Sequence, residues 1–220
     1  MFKDFERPIL TVDIVLLTVQ SEALCVVLQR RDKPPHTGEL ALIGGYVRVE
    51  EDANARATAE RVLAQKAKLT GIFMEQLMTF SGPTRDERGW SASIVYYGLV
   101  PEAVLNASGP SPLTVVPVAA AGPLPFDHAA ILNAAVGRLR TKGAYSSLPA
   151  FLLPATFTLS QLRRVYERVM GVPLNDSAFR RKIDDLDLLE PVTGVSKATA
   201  RPAQLFRLKD TALKEFDRKI

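Results

Sequence analysis

The sequence predicts an α+β protein of two domains, the first spanning residues 1–148 and the second residues 149–220. The first region combines several apolar, β-branched segments with two helical ones, whereas the second has the order helix, turn, helix and β-hairpin. The charge balance also changes near this boundary. Residues 1–149 carry 15 basic and 15 acidic side chains, and residues 150–220 carry 13 and 9.

The composition is that of a globular chain, with 47% hydrophobic and 24% charged residues among 220. No run of about 18 apolar residues occurs, so no membrane-spanning helix is expected, and residues 1–7 do not resemble a signal peptide. Cys25 is the only cysteine and has apolar neighbours. It predicts a buried thiol, with no disulfide and no zinc cluster. We therefore expect a cytoplasmic protein without a cofactor.

The elements of the first domain follow from local patterns. Residues 9–19 and 23–30 are apolar and β-branched, and predict two strands joined by a hairpin. After a loop rich in Pro and Gly, residues 52–68 contain neither and are rich in helix formers, which predicts a helix. The remaining predicted elements are strands at 74–80, 91–100 and near 113–118, and a helix at 127–141.

The second domain begins after a stretch of Gly, Ser and Pro. Thr158 and Gln161 form the pattern of a capping box, which predicts the start of a helix, and Gly171 predicts its end. A second helix is expected from about residues 175–177. The apolar segments around residues 188–189 and 205–208 then predict a β-hairpin, so the order of elements is that of a winged helix.

The second helix of this domain carries three consecutive basic side chains, Arg180, Arg181 and Lys182. DNA phosphates attract such a surface because binding releases counterions. The alternative is a solvated helix surface in which Arg181 pairs with Asp184 or Asp185. The residues alone leave both interpretations open.

In the first domain, Gly44-Gly45, five further residues and Glu51 before a helix resemble the start of a Nudix box. In Nudix hydrolases, glutamates on one face of that helix hold divalent cations against a diphosphate. If the spacer is lengthened by two residues, the family Arg aligns with Arg61 and the family glutamates align with Val62, Gln65 and Lys66. Without that lengthening, the paired glutamates align with Leu63 and Ala64.

Both registers remove the paired carboxylates, so we predict no catalytic residue and no metal site. Two alternatives remain: an active hydrolase with an unusual metal site, and an interaction protein with an empty pocket.

The segment Thr84–Ser91 combines two guanidinium groups and an indole before a strand. Arginine forks suit diphosphate oxygens, and a tryptophan can stack on a base. The alternative is an ion-paired loop with Trp90 in the core.

The chain resembles the NrtR family of Nudix-related transcriptional regulators over nearly its whole length. The matching segments are Arg30-Arg31 before Pro34-Pro35, Ala41–Val47, Arg61–Lys66, Arg85–Ser91, Phe157–Leu159, Val165–Glu167, Phe179–Ile183, and Gly194 with Arg201–Ala203. The resemblance implies a Nudix-like α/β/α sandwich followed by a winged helix. It implies a homodimer that represses genes of NAD metabolism from a palindromic operator and is released by ADP-ribose or a related nucleotide.

The same resemblance implies the site residues. The effector candidates are Arg31, Arg85, Asp86, Arg88 and Trp90. The DNA-binding candidates are Arg180, Arg181 and Lys182 on the second helix, and Arg201 in the wing.

Overall fold

A computed structural model describes residues 7–107, 112–196 and 202–220. The chain separates into two compact units. The first contains the described residues of Met1–Leu17, Cys25–Leu99 and Ser108–Ala135, and the second those of Thr18–Leu24, Val100–Ala107 and Val136–Ile220.

Among the described residues, seven strands form one mixed sheet. They are β1 Ile9–Gln20, β2 Ala23–Arg30, β3 Leu40–Ala41, β4 Ile43–Tyr46, β5 Phe73–Gly82, β6 Ser91–Leu99 and β7 Leu113–Pro117. The order is β3-β2-β1-β6-β5, with β4 also paired to β1 and β7 to β2. The predicted hairpin is present: Ser21 and Glu22 join β1 to β2 with φ of 49° and 61°, as a two-residue turn of type I′ requires.

The centre of the sheet positions the polar residues discussed below. β1 pairs with β6 in parallel and with β4 antiparallel, in a register that sets Asp13 opposite Gly44. The neighbours of Asp13 along β1, from Val12 to Leu17, are fully buried apolar side chains. Because β1 is buried along this stretch, the Asp13 carboxylate lies in the interior of the unit.

The predicted helix at 52–68 is observed as α1, Ala55–Ala67. It starts later because Asn54 caps it, its Oδ1 accepting a hydrogen bond from the Ala57 N–H at 3.0 Å. Lys68 ends it in the left-handed conformation, with φ 57°. The buried face of α1, which includes Val62 and Leu63, packs on the sheet beside β4.

Between residues 101 and 126 the sequence predicted a strand near 113–118 and no helix, but Glu102–Ala107 forms a short helix, α2. The Pro101 carbonyl accepts hydrogen bonds from the N–H groups of Val104 and Leu105 at 3.0 and 3.1 Å. Proline has no N–H group, but a residue that precedes a helix needs none for the hydrogen bonds inside it. Pro101 is therefore compatible with a helix that starts directly after it. The next helix, α3, spans His128–Gly143.

The second unit contains the predicted helix, turn, helix and hairpin. Its elements are β8 Phe157–Thr158, α4 Leu159–Met170, α5 Asp176–Asp185, β9 Leu189–Ser196 and β10 Ala203–Leu208. The capping box is confirmed, with the Thr158 hydroxyl accepting from the Gln161 N–H at 3.2 Å, and Gly171 ends α4 with φ 73°.

The apolar faces of α4 and α5 form one core. Tyr166 and Phe179 lie with ring centroids 5.5 Å apart, and Phe157, Leu162 and Ile183 are buried around them. The Tyr166 hydroxyl donates to the Ser146 carbonyl at 2.7 Å. This packing leaves the opposite face of α5 to solvent, which is where the basic side chains lie.

The predicted α+β class is confirmed by these elements. In the described part of the chain, no helix combines the length and apolar character needed to cross a bilayer.

Candidate functional site

A cavity of about 380 Å³ lies in the first unit. Its walls come from β1, β4, one face of α1, the loop at 31–34, the loop at 85–88 and the start of α3. A volume of this size is within the range of small-molecule binding sites, roughly 300–1,000 Å³. The described residues thus contain a site large enough for a nucleotide-sized group.

The two glycines of β4 allow this cavity to form. A Cβ on Gly44 would lie 2.1 Å from Asp13 Oδ1 and 2.9 Å from the Val12 carbonyl, and one on Gly45 would lie 2.9 Å from Val62 Cγ2. Only glycine permits the strand to approach both β1 and α1 so closely. The Gly-Gly signal in the sequence therefore marks a close contact of backbone and side chains.

Asp13 is the centre of a buried polar network. Its Oδ2 accepts a hydrogen bond from the Ser93 hydroxyl at 2.6 Å and lies 3.5 Å from Arg85 Nη2. Arg85 forms a second, two-pronged pair with Asp127, with both N···O distances 2.9 Å. Burial opposes the charge of Arg85, but Asp127 and then Asp13 outweigh it and raise the pKa of Arg85.

His128 completes the network from the start of α3. Its Nδ1 accepts a hydrogen bond from the Leu42 N–H at 3.2 Å, and its Nε2 lies 3.8 Å from Asp13 Oδ1. Burial lowers the pKa of His128 against the opposing charges of Asp13 and Asp127. Because Nδ1 accepts a hydrogen bond, the imidazole is neutral and carries its proton on Nε2, the nitrogen that faces Asp13.

The loop at 85–88 presents a second arginine in a different environment. Arg88 pairs with the buried Asp86 at 2.6 Å and remains one-third exposed. Its hydrogen bonds lower the pKa of Asp86. The guanidinium also lies over the rings of Tyr46 and Phe126, 5.5 and 5.7 Å from their centroids. Both arginines thus line the cavity, but Arg85 is 8% exposed between two carboxylates, whereas Arg88 is one-third exposed.

Phe126 provides an aromatic wall that the sequence did not indicate. The Arg31 guanidinium lies 4.9 Å from the centre of its ring, and Arg31 also donates to the Pro35 carbonyl at 2.8 Å. Phe126 lines the cavity and has φ 59°, an unfavourable conformation for a bulky residue. Trp90, the predicted stacking residue, is 49% exposed and does not line the cavity.

The cavity face of α1 consists of four side chains, Arg61, Val62, Gln65 and Lys66. The Arg61 fork holds both oxygens of Asp52 at 2.7 Å, and this hydrogen bonding lowers the pKa of Asp52 and raises that of Arg61. The Lys66 ammonium donates to the Gly44 carbonyl. Partial burial lowers the pKa of Lys66, while Asp32 and Asp13 act in the opposite direction.

The acidic side chains near α1 are turned to other partners. Glu60 pairs with Arg56 at 2.9 Å and Glu51 with Arg48 at 2.8 Å, both at exposed positions. The described residues contain no group of three or more His, Cys, Asp or Glu side chains that could hold a metal ion. The residues at the Nudix-box position therefore do not fit a divalent cation, which needs several oxygen ligands.

The cavity lining is strongly basic. It includes seven Lys and Arg side chains but three Asp: Arg31, Lys33, Arg48, Arg61, Lys66, Arg85 and Arg88, against Asp13, Asp32 and Asp86. Such a lining favours an anionic ligand. The sequence analysis did not include four residues of this site: Asp13, Phe126, Asp127 and His128. The signal available for Asp13 was a single carboxylate within an apolar strand.

The candidate DNA-binding surface lies on α5. Asn175 caps this helix through Oδ1, which accepts from the Ala178 N–H at 3.0 Å. Arg180 and Arg181 are exposed and Lys182 is half-buried. Within the described ranges neither arginine forms an ion pair, so the pairing of Arg181 with Asp184 or Asp185 is not observed. Arg201 lies outside the described residues.

The relatives of this chain share its arrangement of elements. The model of the NrtR DNA-binding winged helix domain matches residues 149–208. An ADPR responsive transcriptional repressor from Acinetobacter baylyi, NtrR, is 34% identical over 218 residues, which are 97% of this chain and 86% of that protein. The chain belongs to the NrtR family.

Two solved structures of NrtR from Shewanella oneidensis extend this finding. The first, in complex with a 27mer DNA, has a TM-score of 0.86 and 33% identity, and the match covers 96% of this chain and 99% of that one. The second is the NUDIX domain of the same protein in complex with ADP ribose, with a TM-score of 0.55 and 33% identity over 63% of this chain and 93% of that one. The NrtR fold thus accounts for both units.

Proposed function

We propose that this NrtR protein is a transcriptional repressor whose cavity binds ADP-ribose or a related nucleotide, and whose winged helix binds operator DNA. Residues 1–148 would be the effector domain and residues 149–220 the DNA-binding domain. The observation that carries the proposal is the excess of cations in the cavity lining, where Arg31, Lys33 and Lys66 have no carboxylate partner among the described residues. A diphosphate is the common anionic group that such an excess of cations suits.

The chemistry of the remaining wall supports a nucleotide ligand. The Phe126 ring lines the cavity close to Arg31 and Arg88, and bases stack on rings of this kind. The carboxylate of Asp13, which lines the cavity, offers an acceptor for hydroxyl groups. Arg31, Asp86 and Arg88 therefore keep the effector-binding role predicted for them, while Arg85 would position Asp13 and Asp127.

On the DNA side, the proposed protein is a homodimer that binds a palindrome with two α5 helices in successive major grooves, about one helical turn apart or a multiple of it. The regulated genes would be those of NAD metabolism. The effector must bind more tightly to a domain arrangement whose half-site spacing is wrong, because equal affinity would shift nothing.

The proposed protein is not an enzyme. The face of α1 that would carry catalytic glutamates carries Val62, Gln65 and Lys66, so water and metal cannot be held against a phosphorus atom there. The alternative, an active Nudix hydrolase, requires a metal site that the described residues do not form.

Three measurements on the purified protein test this function. Addition of ADP-ribose at a hundred times its Kd should stabilise the folded protein by about 2.7 kcal/mol and release operator DNA in a gel shift. Incubation with ADP-ribose and Mg²⁺ should produce no AMP. Turnover with ordinary efficiency would overturn the proposal in favour of the hydrolase, and the absence of any thermal shift across a nucleotide panel would favour an interaction protein.

The aromatic wall gives a separate prediction. Changing Phe126 to Ala should weaken ADP-ribose binding roughly tenfold, because base–aromatic stacking is worth about 1–3 kcal/mol. Trp90→Ala is the matched control, since Trp90 is an aromatic residue outside the cavity lining, and it should leave the Kd unchanged. Calorimetric titration of both variants with ADP-ribose gives the two Kd values and shows which aromatic side chain stacks on the base. A loss in Trp90→Ala alone would return the stacking role to Trp90.

A further inference from the structure

Lys66 is the basic side chain of the cavity whose position is most informative. It projects from α1 on the face shared by Arg61, Val62 and Gln65. In the register that aligns Arg61 with the Nudix arginine, Lys66 occupies the position of a metal-binding glutamate. The chain therefore places the positive charge of a side chain where a hydrolase places a glutamate that binds a divalent cation.

Four of the other six cations of the cavity are paired with carboxylates. Arg61 pairs with Asp52, Arg85 with Asp127 and Arg88 with Asp86, and Arg48 pairs with Glu51. Lys66, like Arg31 and Lys33, has no such partner among the residues that the structure describes. Of these three it alone projects from α1, and it donates to a neutral backbone carbonyl, that of Gly44. An ammonium has three donors, so two remain for a ligand.

Lys66 is an exposed residue, and one hydrogen bond orients its ammonium. The hydrogen bond to Gly44 anchors the ammonium to β4, the strand whose close approach to β1 and α1 depends on its two glycines. A charge held in advance at the place where an anion will bind loses less conformational freedom on binding than a mobile surface lysine does.

We propose that the Lys66 ammonium replaces the divalent cation of the Nudix hydrolases as the counter-ion of the ligand's diphosphate, so that effector binding requires no metal. This inference rests on the proposed function, since it assumes a diphosphate ligand in the cavity. It assigns Lys66 a specificity-determining role that the loss of the glutamates alone does not imply.

The test is calorimetric titration of the full-length protein with ADP-ribose, in EDTA and in Mg²⁺. The wild-type Kd should agree within about twofold between the two conditions. Lys66→Gln should weaken binding roughly tenfold to a hundredfold in both, the range expected for a lost charge-assisted hydrogen bond. Lys66→Arg, which keeps the charge, should recover part of the affinity.

Lys68→Gln is the matched control. It removes the same charge two residues away, from a side chain that does not line the cavity and donates to the Gln65 carbonyl at 3.1 Å, and its Kd should equal that of the wild type. The thermal unfolding of each ligand-free variant shows whether it is folded. A wild-type Kd that depends on Mg²⁺, or an unchanged Kd in folded Lys66→Gln, would overturn the inference and leave the proposed function intact. Failure of the wild type to bind in either condition would overturn both.

Discussion

Replacement of Arg180 and Arg181 together by Ala is expected to reduce operator affinity by at least about a hundredfold at physiological salt, because each well-placed arginine contributes roughly 1–3 kcal/mol at a base edge. Both side chains are exposed on α5, and the buried side chains of that helix, Phe179 and Ile183, are unchanged. The folded state should therefore survive, with an unaltered thermal transition. The measurement is a gel-shift titration on the operator recovered by selecting genomic DNA with the purified protein.

The control for this variant must remove the same charge elsewhere. Arg218 and Lys219 form a second pair of adjacent, exposed basic residues in the same unit. Their double replacement by Ala should change operator affinity by no more than a small electrostatic factor. If the two double variants lost affinity equally, the effect would be one of net charge, and α5 would not be the helix that reads DNA.

Replacement of Arg85 by Ala is expected to destabilise the first unit by roughly 3–5 kcal/mol, the cost of breaking a buried ion pair by removing one partner. The Arg85 side chain is 8% exposed and lies between Asp127 and Asp13, whose side chains are 22% and 10% exposed. Removal of the cation leaves two carboxylates facing each other with little water. The thermal midpoint of this transition, followed by circular dichroism, should fall by roughly 6–20 °C.

The size of this effect distinguishes Arg85 from an exposed ion pair. Arg56→Ala removes the partner of Glu60, and both of those side chains are more than half exposed, so its cost should stay below about 1 kcal/mol. The double variant Arg85→Ala/Asp127→Ala should recover part of the loss, because one uncompensated carboxylate is removed with the cation. A midpoint within 2 °C of the wild type, on the roughly 2–4 °C per kcal/mol scale, would show that Arg85 does not hold this network together.

Local patterns were sufficient for much of the fold. The turn at Ser21-Glu22 and the capping box at Thr158 depend on interactions within a few residues and were predicted. The helix α1 was predicted as well, but from residue 52, because its Asn54 cap was not recognised. The helix α2 was missed because the surrounding prolines and glycines favour loops, whereas the Pro101 carbonyl begins a helix there.

The roles of the effector candidates could not be separated in the same way. Arg85 and Arg88 lie three residues apart and have the same side chain, yet Arg85 is buried between Asp13 and Asp127, whereas Arg88 pairs with Asp86 and remains one-third exposed. The partners that decide this, Asp13 and Asp127, are 72 and 42 residues from Arg85 in the sequence. No local pattern records which distant side chains a loop will meet.

The sequence by itself determined the class of the fold and the winged-helix order of the second domain, and it predicted the loss of the paired glutamates, because each follows from residue types at short, regular spacing. Only the tertiary structure decided that Asp13, Phe126 and His128 join the cavity, and that Trp90 lies outside its lining. The reason is physical: burial and ion pairing depend on which segments the sheet brings within a few ångströms, and that is set by long-range strand pairing between β1, β4 and β6.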